Sequence, residues 1–278
     1  MKLKAFILTA VLLSSGFNFA QECYVRLHAG YGIGVSSQTD YDYFSTETAP
    51  NVSNYSYKTK DYSFGKGMYF GASFGYFLND NIALDLELQY LDGSSYSLNR
   101  DITTINSGKS IYDYKNYGTA FMINPSVLLR TKLSVFKPYL KLGPVISFGS
   151  INSSVSGYNI ATNNARANFS SEMKYSGGVM FGLNAAIGAS YEVYRNIDLF
   201  FEMNSKNISY APKEGEMTKY QINGVDYLPR LATSSKKVNF VEDVESTDSQ
   251  NPNAPAQQRK EYYPFSSFTF SLGVAFTL

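Results

Sequence analysis

The chain holds one histidine, His28, so any imidazole chemistry must run through it. Gly71-Ala72-Ser73-Phe74-Gly75 matches the G-x-S-x-G pattern of a hydrolase nucleophile. Together with His28 and the acids Asp85 and Glu87, Ser73 could form a Ser-His-acid group. That chemistry needs a strained strand-to-helix turn that exposes the serine. Here the motif lies inside an alternating segment with no helical pattern after it. The expectation is therefore a polar packing network and no catalytic residue. Gly30-Tyr31-Gly32-Ile33-Gly34 carries glycines like those of a dinucleotide loop, but no βαβ pattern surrounds it, so the glycines read as room for strand packing. The lone His28 and the lone Cys23 supply neither a multi-histidine zinc site nor an internal disulfide. No Ca²⁺-loop motif is present. Neither a metal nor a cofactor is expected.

A second constellation has a plainer reason to exist. Arg26, His28, Asp85, Glu87, Lys141, Glu192, Asp198 and Glu202 all fall on the polar side of alternating segments. Buried charges are tolerable only when paired. The expectation is an interior polar network in which Arg26 and Lys141 neutralise the acids.

Segments with a period of two must position these residues, because alternate side chains then point to opposite faces. Val25, Leu27, Ala29, Tyr31, Ile33 and Val35 share one face, against Tyr24, Arg26, His28, Gly30, Gly32 and Gly34. Met68 to Leu78 and Ile82 to Tyr90 repeat the pattern around the turn Asn79-Asp80-Asn81. A fourth strand spans about Thr119 to Arg130, with Pro125 predicting a local irregularity. A fifth covers Tyr139 to Phe148 and a sixth Gly178 to Val193, turning at Tyr194-Arg195-Asn196. The seventh runs from Ile197 to Asn204 and the last from Phe268 to Leu278. Short connections follow strands two, four and six; long polar ones follow strands one, three, five and seven.

That pattern predicts an all-β fold: an eight-stranded antiparallel up-and-down transmembrane β-barrel with short periplasmic turns and long extracellular loops. The large residues lie on one uninterrupted face, while the polar face is rich in Gly, Ser and Ala, which suits a narrow barrel set in lipid. Tyr76, Tyr90, Tyr191 and Phe268 would serve as interface girdles. The composition agrees, with 24 Tyr, 20 Phe and 21 Gly. A formal charge of +1 argues against a nucleic-acid partner. Residues 1–20, with Lys2, Lys4 and the apolar run Ala5 to Leu13, read as a signal peptide. Residues 21–278 are then the barrel domain.

The chain resembles the small outer-membrane barrels of the OmpA/OmpX type. Three stretches carry the resemblance: Val25-Arg26-Leu27-His28-Ala29-Gly30-Tyr31-Gly32, Lys137-Pro138-Tyr139-Leu140-Lys141-Leu142-Gly143, and the terminal strand. In the last, Gly273, Phe276 and Leu278 resemble the C-terminal insertion signal of such barrels, although Leu278 stands where the family usually has an aromatic. The resemblance implies the bacterial outer membrane, with outer-membrane lipids and the barrel-assembly machinery as partners and a monomeric state.

External function would reside in the connections. The first is rich in tyrosine (Tyr41, Tyr43, Tyr55, Tyr57 and Tyr62), a residue favoured at binding surfaces, so an extracellular ligand could engage there. The fourth, Ser209 to Pro264, reads as a mobile solvated loop. The leading expectation is a non-enzymatic outer-membrane barrel with a structural or surface-interaction role. A narrow channel for small solutes, or a barrel enzyme acting on lipid or peptide, are the alternatives.

Overall fold

The computed structural model describes residues 22–49, 52–104, 108–131, 135–244 and 251–278. The signal peptide expected at residues 1–20 lies outside them. The fold is all-β. Seventeen strands are described: β1 (Cys23–Gly34), β2 (Gln38–Ala49), β3 (Val52–Tyr62), β4 (Gly67–Asn79), β5 (Ile82–Gly93) and β6 (Tyr96–Thr104). They continue with β7 (Gly108–Arg130), β8 (Phe136–Ile160), β9 (Arg166–Ser176), β10 (Val179–Tyr194), β11 (Ile197–Tyr210) and β12 (Glu214–Ile222). The last five are β13 (Val225–Asp226), β14 (Lys237–Val241), β15 (Ala256–Arg259), β16 (Tyr263–Pro264) and β17 (Ser267–Thr277).

Eight of these match the strands read from the alternation. β1 pairs antiparallel with both β17 and β4. The antiparallel pairings β4–β5, β5–β7, β7–β8, β8–β10, β10–β11 and β11–β17 link the others. The short turns form where the sequence places them. Asn79 Oδ1 accepts from the Asn81 and Ile82 amides, both at 2.9 Å. Asn196 turns the chain between β10 and β11 with φ at 66°. At Pro125 the pairing with β5 is continuous, but the β7–β8 ladder breaks between Ile123↔Ile146 and Val127↔Leu142. Pro125 and Pro144 both lack an amide proton, so neither can donate across that seam.

The count of eight strands requires correction. Nine further strands occupy the long connections, which are not structureless. β7 has 23 residues and β8 has 25, far more than the roughly 9–11 that span a bilayer. Their outer halves continue as a sheet: β3 pairs with β2, β2 with β6, β6 with β7, β8 with β9, and β9 with β12. The fourth connection, expected to be mobile and solvated, contains β12 to β16, with β12 paired to β14 and β14 to β15. Past Phe148 both faces of β8 carry Ser, Asn and Gly, so no apolar alternation announces the strand.

The eight strands have the inside-out polarity of a membrane barrel. Along β5, Leu84, Leu86 and Leu88 are exposed, whereas Ala83, Asp85, Glu87, Gln89 and Leu91 are buried. Leu27, Phe74, Val127, Leu142, Ile187, Leu199 and Phe270 are likewise exposed. In water this surface would be strongly unfavourable; against acyl chains it costs nothing.

Candidate functional site

The inward face gathers the buried ionisable groups. Lys141 on β8 is 1% exposed and lies 3.0 Å from Asp85 Oδ1, 3.6 Å from Glu87 Oε2 and 3.9 Å from Glu202 Oε2. Arg26 on β1 pairs with Glu202 at 3.4 Å and donates to the Tyr139 hydroxyl. Tyr139 in turn donates to Glu202 at 2.9 Å. The Arg26 guanidinium lies over the Phe200 ring, 3.7 Å from its centroid. Tyr24 donates to Asp85 at 2.8 Å and Asn124 to Glu87 at 3.1 Å. This is the arrangement that lets charges remain in a low-dielectric interior.

Five barrel strands supply these side chains, and glycines make the space for them. A side chain at Gly75 would collide with the Tyr24 ring, one at Gly188 with the Tyr139 ring, and one at Gly71 with His28. The small-residue face is thus a negative of the large inward groups.

His28 Nε2 lies 3.0 Å from Glu87 Oε1 and 3.2 Å from Gln89 Nε2. Ser73 is buried on β4, opposite Arg26 on one side and Glu87 on the other. Among the described residues it makes no hydrogen bond to His28, so the Ser-His contact of a nucleophile is not formed. Nor do three His, Cys, Asp or Glu side chains converge as metal ligands among the described residues.

The remaining expected members sit at the end of the barrel where β1 begins and β17 ends. Asp198 is buried there and pairs with Lys137 at 3.0 Å. Glu192, half-exposed at the rim, holds the same lysine at 3.1 Å. Lys137 has the parity of Lys141 but lies before the expected start of the fifth strand at Tyr139. Lys206, fully buried on β11, was missed too: it shares parity with Asp198, Glu202 and Asn204 but lies past the expected strand end. Tyr24, Tyr139, Gln89, Asn124 and Asn184 are inward polar residues that carry no charge, so a search for charges alone passes over them.

Apolar layers close both sides of this polar layer. Toward the long connections, Phe64, Tyr69, Leu91, Met122, Val145, Ile151, Met180, Ile208, Tyr210 and Phe265 form one buried cluster. Phe64 and Phe265 come from connections and stack at 5.5 Å. Toward the termini, Tyr24, Phe77, Ala83, Leu128 and Tyr139 form a second cluster. The space beside them, lined by Arg26, Lys137 and Asp198 among others, amounts to about 40 Å³, room for no more than a few waters.

The family model described as the outer membrane protein beta-barrel domain matches residues 48–227. The chain belongs to that outer-membrane β-barrel family. Its place is the bacterial outer membrane. Among solved structures, this barrel protein is similar to OprG from Pseudomonas aeruginosa, at 11% identity over 93% of this chain and 95% of that one, with a TM-score of 0.42. It is also similar to Ail of Yersinia pestis, at 8% identity over 93% and 98%, with a TM-score of 0.31. The protease OmpT of Escherichia coli matches at 10% identity over 95% and 100%, with a TM-score of 0.26. No curated protein sequence matches the chain.

Outside the barrel strands, the first connection builds its own polar contacts. Burial works against the Asp42 carboxylate, but the Asn99 amide at 2.8 Å and the Lys60 ammonium outweigh it and hold its pKa below the usual range. Burial, with the Asp40 and Glu261 carboxylates nearby, pushes the Tyr62 hydroxyl up to about 12. Tyr41, Tyr43, Tyr55 and Tyr57 share one face of the β2–β3 hairpin, with Tyr43 and Tyr57 at 5.3 Å.

Proposed function

We propose that β1, β4, β5, β7, β8, β10, β11 and β17 form an eight-stranded transmembrane barrel whose lumen is plugged by its own side chains. The barrel then serves as a non-enzymatic anchor for the sheet built by the long connections, which carries a structural or surface-interaction role. The observation that carries this reading is the ion-paired layer around Lys141, enclosed between two apolar clusters. An even strand count returns both termini to one side, the periplasm, and turns the long connections outward. On this reading the protein is a monomer, held by outer-membrane lipids and inserted by the barrel-assembly machinery through Gly273, Phe276 and Leu278. Residues 1–20 are its export signal, removed from the mature chain.

Proteoliposome swelling tests the plug. Vesicles containing the folded protein should swell in isosmotic glycine or arabinose no faster than empty vesicles. Rapid swelling would favour the narrow channel instead. An extracellular ligand would meet the tyrosine face of the β2–β3 hairpin.

A further inference from the structure

On one side of β9, β12 and β14 two rows of polar side chains cross the strands. Lys174, Glu216 and Lys237 form one row; Ser176, Glu214 and Asn239 form the next. The residues between them turn the other way: Gly215 and Val238 are buried, and Tyr175 packs on the apolar cluster. The two rows therefore face outward. They line a cleft of about 220 Å³.

The cleft is neutral in sum but not paired throughout. Lys237 holds Glu216 at 3.1 Å. Glu214 accepts from the Ser176 hydroxyl at 3.4 Å and makes no ion pair among the described residues. Lys174, exposed, makes neither a hydrogen bond nor an ion pair among them. Lys174 and Glu214 are diagonal neighbours across β9 and β12, about 7–8 Å apart by strand geometry. One free ammonium and one lightly held carboxylate thus face the same cleft.

Its height on the protein follows from the register. Phe148 and Val179, opposite each other on β8 and β10, are both exposed on the outward face. Beyond Phe148 that face of β8 carries Ser150, Asn152, Ser154 and Ser156, so the apolar belt ends there. Lys174 stands opposite Asn152, four residues past Phe148. Four residues are about 13 Å along a strand, or about 10 Å of height at the usual barrel tilt. The Glu214 row lies two residues lower, at about 5 Å by the same geometry. The headgroup layer is about 5–8 Å thick on each side of a bilayer, so the cleft opens at headgroup level.

We propose that this cleft binds the headgroup of a membrane lipid that carries both a phosphate and a primary ammonium. The phosphate meets the Lys174 ammonium and the Asn239 amide. The headgroup ammonium donates to Glu214. A zwitterion matches one free charge of each sign and leaves the cleft neutral. A trimethylated ammonium has no N–H to give Glu214, and a glycerol headgroup brings no cation to it. The inference rests on the membrane barrel proposed above, which sets the height of the cleft.

The simplest lipid with both groups is phosphatidylethanolamine. The full chain is folded into vesicles of phosphatidylcholine containing equal minor shares of phosphatidylethanolamine and phosphatidylglycerol. It is then extracted in a non-ionic detergent, and retained lipid is read by native mass spectrometry. One phosphatidylethanolamine per chain is expected, in preference to the other two lipids. Lys174→Gln and Glu214→Gln should each weaken its retention by about 2- to 10-fold, as expected for the loss of one hydrogen bond. Both side chains are exposed, so neither change disturbs the core. Equal retention of the three lipids, a preference for phosphatidylglycerol, or unchanged retention in either variant would overturn the proposal and leave the barrel standing. A chain that inserts into no vesicle would overturn the barrel and the cleft together.

Discussion

Replacing Lys141 by methionine should be among the most damaging changes in the barrel. Lys141 faces three buried carboxylates, at 3.0, 3.6 and 3.9 Å. The loss falls unequally. Glu202 keeps Arg26 and Tyr139, and Glu87 keeps His28 and Asn124. Asp85 loses its ion pair and retains the hydroxyls of Tyr24 and Ser126. Removing one partner of a buried pair costs about 3–5 kcal/mol, and Lys141→Met should fall in that range. Most of the cost is the stranded Asp85 charge, so adding Asp85→Asn should recover about 1–3 kcal/mol, the coupling usual for groups in contact. Urea titration in phospholipid vesicles, followed by far-ultraviolet circular dichroism, measures both. A single variant within 1 kcal/mol of wild type, or a double variant no better than the single, would refute the ion-paired layer.

Three further outcomes follow from other parts of the structure. Leu86 points outward at mid-strand and is 48% exposed; Leu86→Arg should cost about 2–4 kcal/mol in a bilayer by the same titration, and a neutral result would argue that this face does not meet lipid. Gly188→Val should lower stability by about 1–3 kcal/mol through overpacking against Tyr139, and Tyr139→Phe/Gly188→Val should not restore it, since the ring itself is struck. The Asp42 pKa is depressed, so its stabilisation of the β2–β3 hairpin is fully present above the unfolded value near 3.9 and is lost as pH falls through the folded value; acid-dependent proteolysis of that hairpin should appear in wild type and already at neutral pH in Asp42→Asn.

The barrel strands were legible because lipid imposes a strict rule on them. Leu84, Leu86 and Leu88 must be apolar to face acyl chains, while Asp85 and Glu87 must turn inward, so period two is written residue by residue. No such rule acts on β2, β3, β6 or β9, which lie in the long connections and bury single residues such as Asp42 and Leu98 rather than an alternating apolar face. Tyr43 and Lys58 can then follow one another in space without an apolar pattern, and these strands read as polar loops. The same boundary explains the interior. Arg26, His28, Asp85, Glu87, Lys141, Asp198 and Glu202 were visible as charges of the right parity. Lys206 was hidden because the apolar run of β11 fades before it. The apolar closure by Phe64 and Phe265 was not legible at all, since both residues enter from connections whose course no periodicity predicts.

Planar-bilayer recording of the folded wild-type protein tests the plugged interior most directly. The proposed plug predicts no large, steady conductance, since charges paired around Lys141 and apolar clusters on both sides of them would fill the lumen. A large and stable conductance step in every insertion would contradict it.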